Sequence, residues 1–262
     1  EQFKAACGPN GADIVYDIVG GDYSEPALRA IAWEGRFLVV GFPAGIARLP
    51  LNQLIHDIKN PSAALKQLIA LLRQQQEIDP ALYKQSKRRL PYFVNALFHP
   101  PVRKKDYFSA ITSFTIDLDR LHTIGTTPSD IKNKLKNNPL IRAAFESPGG
   151  DGLKINFTLS QRCTDSNIFT AFYKAFAAGF AIQYGLQSII DLRTHDVTRA
   201  CFLCADPHIF VNEAALAVNL YDYVNTRSPE EFHQSLEENN QKIETIKQQQ
   251  PDTDAHEPDD EI

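Results

Sequence analysis

Two aspartates one residue apart close an apolar run, Phe114-Thr115-Ile116-Asp117-Leu118-Asp119. In a strand, successive side chains alternate faces, so Asp117 and Asp119 point the same way and Leu118 points the other. Neighbouring carboxylates repel, and a shared cation relieves that repulsion. Such a pair can hold the divalent metal of a phosphoryl-transfer site. The same spacing also occurs at solvated strand ends with no chemical role, and both readings stand on these six residues.

Three further stretches bear charge in patterns that suit a phosphate ligand. Ser147-Pro148-Gly149-Gly150-Asp151-Gly152-Leu153-Lys154 is a glycine-rich turn whose free N–H groups can approach an anion, with Lys154 just inside the next strand. It reads equally as a hairpin turn with an exposed lysine. Ile189-Ile190-Asp191 repeats the ending of an apolar run in aspartate, and Arg199 precedes the apolar Ala200-Cys201-Phe202. A guanidinium there can grip a triphosphate, or pair with Asp196 on the surface. Lys87-Arg88-Arg89 and Arg103-Lys104-Lys105 are basic clusters that suit template phosphates or plain solvation. Cys201 and Cys204, with His195 and His208 nearby, suggest zinc, but residues three apart in a strand face opposite sides, so buried thiols are the better account.

The order of these pieces resembles the archaeo-eukaryotic primase superfamily, in particular the primase-polymerase domain called the VirE N-terminal domain. The residues carrying the resemblance are Arg89-Leu90-Pro91, Ile116 to Asp119, Phe145 to Lys154, Ile190-Asp191, and Thr198 to Leu203 through Asp206-Pro207, spanning about residues 80 to 215. The resemblance implies that Asp117, Asp119 and Asp191 ligate Mg²⁺ or Mn²⁺ for nucleotidyl transfer. Ser147, Gly150, Gly152, Lys154 and Arg199 would seat the nucleoside triphosphate. Lys87, Arg88, Arg89, Arg103, Lys104 and Lys105 would bind a single-stranded nucleic-acid template. A helicase domain or subunit is a further implied partner, in the replication of mobile or CRISPR-associated elements. Lys154 stands where many members have histidine, and Gly152 where they have serine. A lysine still meets a triphosphate as a point charge, whereas a role that needs histidine would be lost.

The elements that must position these residues are legible in outline. Tyr107 to Ile116 and Leu153 to Leu159 read as strands, and Ala200 to Cys204 as a third. Asn60-Pro61 opens a helix with Leu65, Leu68, Ile69 and Leu72 on one face, and Thr127-Pro128 opens a polar helix to about Asn137. Asp165 caps a long helix with Phe169, Phe172, Tyr173, Phe176 and Phe180 on its core face.

Residues 1 to 51 are of another kind. Ile14 to Asp17 reads as a strand, Glu25 to Trp33 as a helix stopped by Gly35, and Phe37 to Phe42 as a buried parallel strand. Gly11 to Asp17, Gly20 to Tyr23 and Ala30 to Phe42 resemble the later part of the nucleotide-binding domain of zinc-independent NADPH:quinone oxidoreductases. No G-x-G-x-x-G turn follows the first strand, so NADPH binding is not expected.

The expected organisation has four parts. They are a truncated oxidoreductase-like segment (1–51), a helical connector (52–80), a primase-polymerase-like domain (81–228) and an acidic, disordered tail (229–262) that starts from Ser228 as a helix and frays out by Gln248-Gln249-Gln250-Pro251. The fold class is α+β, a primase-polymerase-like sheet with packed helices, preceded by a short Rossmann-like β-α-β remnant. Of the 262 residues 43% are hydrophobic, enough for a sizeable core. The tail carries a net charge of −9, which leaves +4 on residues 1 to 228, a balance compatible with a polyanionic partner. The absence of methionine reads as a fragment or processed chain, and four scattered cysteines suit a reducing cytoplasm without membrane attachment. The alternatives to nucleotidyl transfer are a truncated oxidoreductase fusion without cofactor and a non-catalytic nucleic-acid-binding module.

Overall fold

The computed structural model describes residues 5–17, 19, 21–39, 50–248 and 250. These form two compact units, one of residues 1–57 and 97–109, the other of residues 58–96 and 110–262. In chain order the first unit opens with β1 (Ala12–Asp17), a short α1 (Ser24–Leu28) and β2 (Ile31–Val39), and α2 (Leu51–Lys59) follows. Next come α3 (Ala63–Ile78), α4 (Pro80–Lys87), β3 (Tyr92–Val94), β4 (Ala96–Phe98), β5 (Phe108–Leu118) and α5 (Pro128–Leu135). The chain continues through β6 (Ile141–Glu146), β7 (Leu153–Cys163), α6 (Ser166–Tyr184), β8 (Ile190–Asp191), β9 (Ala200–Phe202), β10 (Phe210–Val211) and α7 (Pro229–Gln248). The class is α+β.

In the first unit β1 and β2 pair in parallel, with Val15 opposite Phe37 and Asp17 opposite Val39. Buried Asp17 closes the connection, accepting from Ser24 Oγ at 2.5 Å and from the Val19 N–H at 2.9 Å. The helix expected over Glu25 to Trp33 is therefore much shorter. It ends at Leu28, and Ile31, Trp33 and Gly35 belong to β2 instead. Strand pairing with β1 overrides a weak helical preference in a stretch of aromatic and β-branched residues. Gly20 and residues 40–42 of the expected strand, like residues 251–262 of the acidic tail, lie outside the described residues.

The second unit is built on an antiparallel sheet in the order β10-β6-β7-β5, with β8 paired to the end of β5. One sheet face is apolar. Phe114 of β5 stacks on Phe157 of β7 at 5.1 Å, and both meet the edge of Phe176 from α6. The α6 aromatics fall at i, i+3, i+4, i+7 and i+11, one stripe of a helix, and are buried. Asp165 caps this helix, accepting from the N–H groups of Asn167 and Ile168, and Gly185 ends it at φ +62°. The helix is thereby fixed at both ends against the sheet, and its aromatics are core residues rather than a base-stacking platform.

The two proline-marked helix starts have different outcomes. Thr127 and Asp130 form a reciprocal capping box, so α5 begins where expected. The helix expected to begin at Asn60-Pro61 begins instead at Ala63, because the Ser62 hydroxyl accepts from the Leu65 N–H and makes Ser62 the cap. Leu65, Ile69 and Leu72 of α3 pack with Leu90 and Phe202, so the second half of the expected connector is part of the second unit's core. The helix expected from Ser228 to fray near Gln248 is present over Pro229–Gln248. Buried Asn239, Ile243 and Ile246 recur at i, i+4 and i+7, a sparse stripe that packs α7 against α6 despite its acidic composition.

Candidate functional site

The polar face of the second unit's sheet is assembled by strand register. β5 lies between β7 and β8, and Asp117 is directly opposite both Lys154 and Asp191. Directly opposed residues of antiparallel strands project to the same face. Asp117, Lys154 and Asp191 therefore share one face, and Asp119 joins them one pleat further on, its backbone N–H bonded to the Ile189 carbonyl at 2.8 Å. Three carboxylates and an ammonium thus lie on one face around the end of β5.

Their charges are matched from within. The Lys154 ammonium donates to Asp117 Oδ2, with only 10% of the lysine side chain and 14% of the aspartate side chain exposed. Burial pushes that ammonium down, but the Asp117 charge and hydrogen bond together with Cys201 and Asp119 outweigh it and hold Lys154 well above the usual lysine range. The other oxygen of Asp117, Oδ1, is buried and has no hydrogen-bond partner among the described residues. Asp191 accepts from both the backbone N–H and the Nε of Arg193, at 2.9 and 3.0 Å, and its second oxygen lies 3.7 Å from the Arg199 guanidinium. Burial would raise the Asp191 carboxyl, and the Arg193 hydrogen bonds together with the two arginine charges bring it below its ordinary value.

Asp119 is the exception, since no ion pair to it forms among the described residues. Burial, followed by the repulsion of Asp117 and Asp191 against a weaker pull from Lys154, pushes its carboxyl up to about 7. Gly152 makes room for it. A Cβ at 152 would sit 2.7 Å from the Leu118 carbonyl oxygen, 2.8 Å from Ser147 Oγ and 3.1 Å from Asp119 Oδ1. Gly152→Ala is thus expected to cost about 1–3 kcal/mol, because the nearest atom is backbone and cannot step aside. Urea unfolding checks this, and an unchanged midpoint would contradict the packing described.

The glycine-rich turn is the hairpin loop between β6 and β7, with Glu146 opposite Leu153. Ser147 accepts from the Gly150 N–H and donates its own N–H to Gly152, and Gly150 takes the left-handed φ of +83°. Helices α3 and α4 cover it. Arg73 donates to the Pro148 carbonyl at 3.2 Å and to Glu146 at 3.1 Å, with its guanidinium over Gly150, and Gln76 and Tyr83 crowd Gly149. Nothing in the sequence singled out Arg73, which lies 73 residues from its carboxylate partner. Arg193 was likewise missed, although its place two residues after Asp191 is the spacing of a local side-chain cap.

A small open cleft, with room for about 30 Å³ of water, is lined by Asp117, Lys154, Arg199, Thr115, Asn95 and Cys201 among others. Cys201 and Cys204 are buried thiols, and burial pushes Cys201 up to about 11. Of the basic clusters, Lys87 lies over the Phe202 ring at 5.5 Å, while Arg88 and Arg89 are exposed. Arg103, Lys104 and Lys105 belong to the other unit, where Lys104 pairs with Asp106 at 2.8 Å. Among the described residues, no three acidic, histidine or cysteine side chains come together as a metal cage. No described helix is long and apolar enough to cross a membrane.

Comparison with known proteins returns two unrelated kinds of likeness. The family model described as the BT4734-like N-terminal domain matches residues 85–210, a stretch that contains Asp117, Asp119, Lys154, Asp191 and Arg199. The curated relatives are of the other kind. The chain is 37% identical over 99 residues to Quinone oxidoreductase-like protein 2 of Rattus norvegicus, covering 37% of this chain and 27% of that protein. It is 51% identical over 57 residues to the Bos taurus protein of that name, covering 21% of this chain and 16% of that protein. The homolog from Nematostella vectensis is 34% identical over 119 residues, covering 45% of this chain and 29% of that protein. The chain thus spans less than a third of the length of these relatives. Among solved structures, the AEP domain of the Cyanophage S-2L primase-polymerase is similar at a TM-score of 0.34 and 13% identity, over 54% of this chain and 73% of that one. At that score the likeness is too slight to establish a shared fold.

Proposed function

We propose that the second unit is a primase-polymerase-like domain that binds a nucleoside triphosphate and a single-stranded template and transfers nucleotides at the Asp117 face. The observation that carries this reading is the register that sets Asp117 opposite both Lys154 and Asp191, with Asp119 beside them. Residues far apart in sequence thereby come together: Asp117, Lys154 and Arg199 line one cleft, with Asp191 and Arg193 tied to them by ion pairs.

The residues present fit a divalent cation held by two carboxylates rather than three. The Oδ1 of Asp117 and the carboxylate of Asp119, neither paired among the described residues, are the natural ligands, and Asp191 is already committed to its arginines. Mg²⁺ characteristically takes one or two protein carboxylates and completes its shell with water and substrate phosphates. When bound, the ion supplies charge neutralisation and activation of the attacking 3′-hydroxyl. The rest falls to the chain itself. Arg199, paired with Asp191 and lining the cleft, orients the triphosphate through its guanidinium fork. Lys154 meets it as a point charge, and Arg88 and Arg89 supply exposed positive charge for template phosphates.

Primer extension on a single-stranded template with Mn²⁺ or Mg²⁺ tests the reading. Extension by the wild-type chain should fall at least a hundredfold in Asp119→Asn, a variant that leaves the Lys154–Asp117 pair intact, and should vanish in Asp117→Ala. Equal extension by Asp119→Asn would falsify the site assignment. Triphosphate and template binding without extension would point instead to a non-catalytic binding module, a reading favoured by one observation, the ammonium already seated on Asp117.

A further inference from the structure

We propose that Lys154 is the resident counter-cation of the acidic face, keeping free divalent metal off Asp117 until a triphosphate draws the ammonium away. The inference rests on the nucleotidyl-transfer reading above and concerns what this chain's own lysine does within it.

Lysine and metal compete for a single carboxylate. Lys154 and Asp117 are directly opposed on neighbouring strands, and the ammonium hydrogen-bonds Asp117 Oδ2 in a largely buried setting. Only Oδ1 of that carboxylate is left without a partner among the described residues. A divalent ion on Oδ1 would sit within a few ångströms of the ammonium on Oδ2, and two like charges at that spacing repel strongly where water is scarce. Asp191 offers no escape, because Arg193 and Arg199 hold both of its oxygens.

A triphosphate changes this balance. It brings several negative charges to the cleft that Lys154 and Arg199 line. An ammonium on a flexible four-carbon stem can turn from a carboxylate to a phosphate oxygen without moving the backbone. Once it has turned, Asp117 has both oxygens free for a metal that arrives with the nucleotide. Metal and triphosphate therefore enter together, and the site without nucleotide is a poor metal site despite its three carboxylates. A histidine at position 154 would not impose this order to the same degree, since neutral imidazole carries no competing charge.

The test uses Mn²⁺ alone, measured by the electron paramagnetic resonance of the free ion in the absence of nucleotide. The wild-type chain should bind Mn²⁺ no more tightly than the millimolar range. Lys154→Met should bind at least tenfold more tightly, and Asp117→Asn added to Lys154→Met should abolish the gain. Adding a non-hydrolysable nucleoside triphosphate should raise Mn²⁺ retention by the wild-type chain. Equal Mn²⁺ affinity in wild type and Lys154→Met would overturn the proposal. So would a wild-type chain that binds Mn²⁺ in the micromolar range without nucleotide, a result that needs no variant to fold. Failure of the lysine's role and failure of nucleotidyl transfer look different. A gain of Mn²⁺ affinity without primer extension keeps the role of Lys154 and removes nucleotidyl transfer. Extension without that gain does the reverse.

Discussion

Lys154→Met should destabilise the second unit by about 3–5 kcal/mol. The cost arises because the substitution strands a carboxylate rather than because it removes an attraction. Asp117 would remain 14% exposed, with neither oxygen bonded and with Asp119 and Asp191 as its charged neighbours. A buried charge without a partner costs more than the pair it once formed was worth. Removing both partners, as Lys154→Met with Asp117→Leu, should therefore recover most of the loss. Urea unfolding of the two variants measures both numbers. A single-variant cost below about 1 kcal/mol would mean that water reaches the pair and that the ammonium is not buried as described. Mn²⁺ should restore part of the stability of Lys154→Met, since an ion on Asp117 replaces the missing ammonium by mass action.

Asp119→Asn should do the opposite and stabilise the chain, by an amount that grows as pH rises above the ordinary carboxylate range. In the folded chain the Asp119 carboxyl holds its proton up to about pH 7, against an ordinary value of 3.8. Below 3.8 folded and unfolded chains are both protonated there, and the group has no influence on stability. Between 3.8 and about 7 the unfolded chain ionises first, so stability falls as pH rises; above 7 the whole penalty is present. Each tenfold difference in proton affinity between the folded and unfolded chains corresponds to about 1.4 kcal/mol, and partial exposure reduces what is realised. The variant should gain about 2–3 kcal/mol over wild type at about pH 8 and close to nothing at about pH 4. Parallel stability curves for the two chains across that range would show that Asp119 is not the strained carboxylate. The same substitution is expected to cut extension at least a hundredfold, which would make Asp119 a residue kept for chemistry at the expense of stability.

How much of this was readable beforehand depends on how far apart the interacting residues lie. Alternation within one strand was enough to set Asp117 and Asp119 on a common face, because the side-chain period of a strand is a local property. The capping box of Thr127 and Asp130, the Asp165 cap and the aromatic stripe of α6 were legible for the same reason. Local signals failed where two of them competed. Pro61 suggested a helix start, but the hydroxyl of Ser62, immediately before α3, took the cap. Likewise the short α1 yields to β2, because pairing with β1 outweighs a weak local preference. In the acidic stretch from Pro229, composition suggested a helix that frays, and three buried positions at helical spacing dock α7 on α6.

The sequence by itself determined the candidate residues, the strands and helices that carry them and the hairpin around Gly149 and Gly150, since each is written within a window of a few residues. Only the tertiary structure decided which charges meet. Lys154 reaches Asp117 across 37 residues of chain, and the register of β8 against β5 sets Asp191 opposite the same aspartate. Arg73 closes over the glycine turn from a helix upstream of the stretch that matches the family model. Strand register and helix docking follow from how the whole apolar face packs, and no local pattern encodes the partner that packing will supply. That is why the sequence could nominate Lys154 as a phosphate contact, while only the fold could seat its ammonium on a carboxylate.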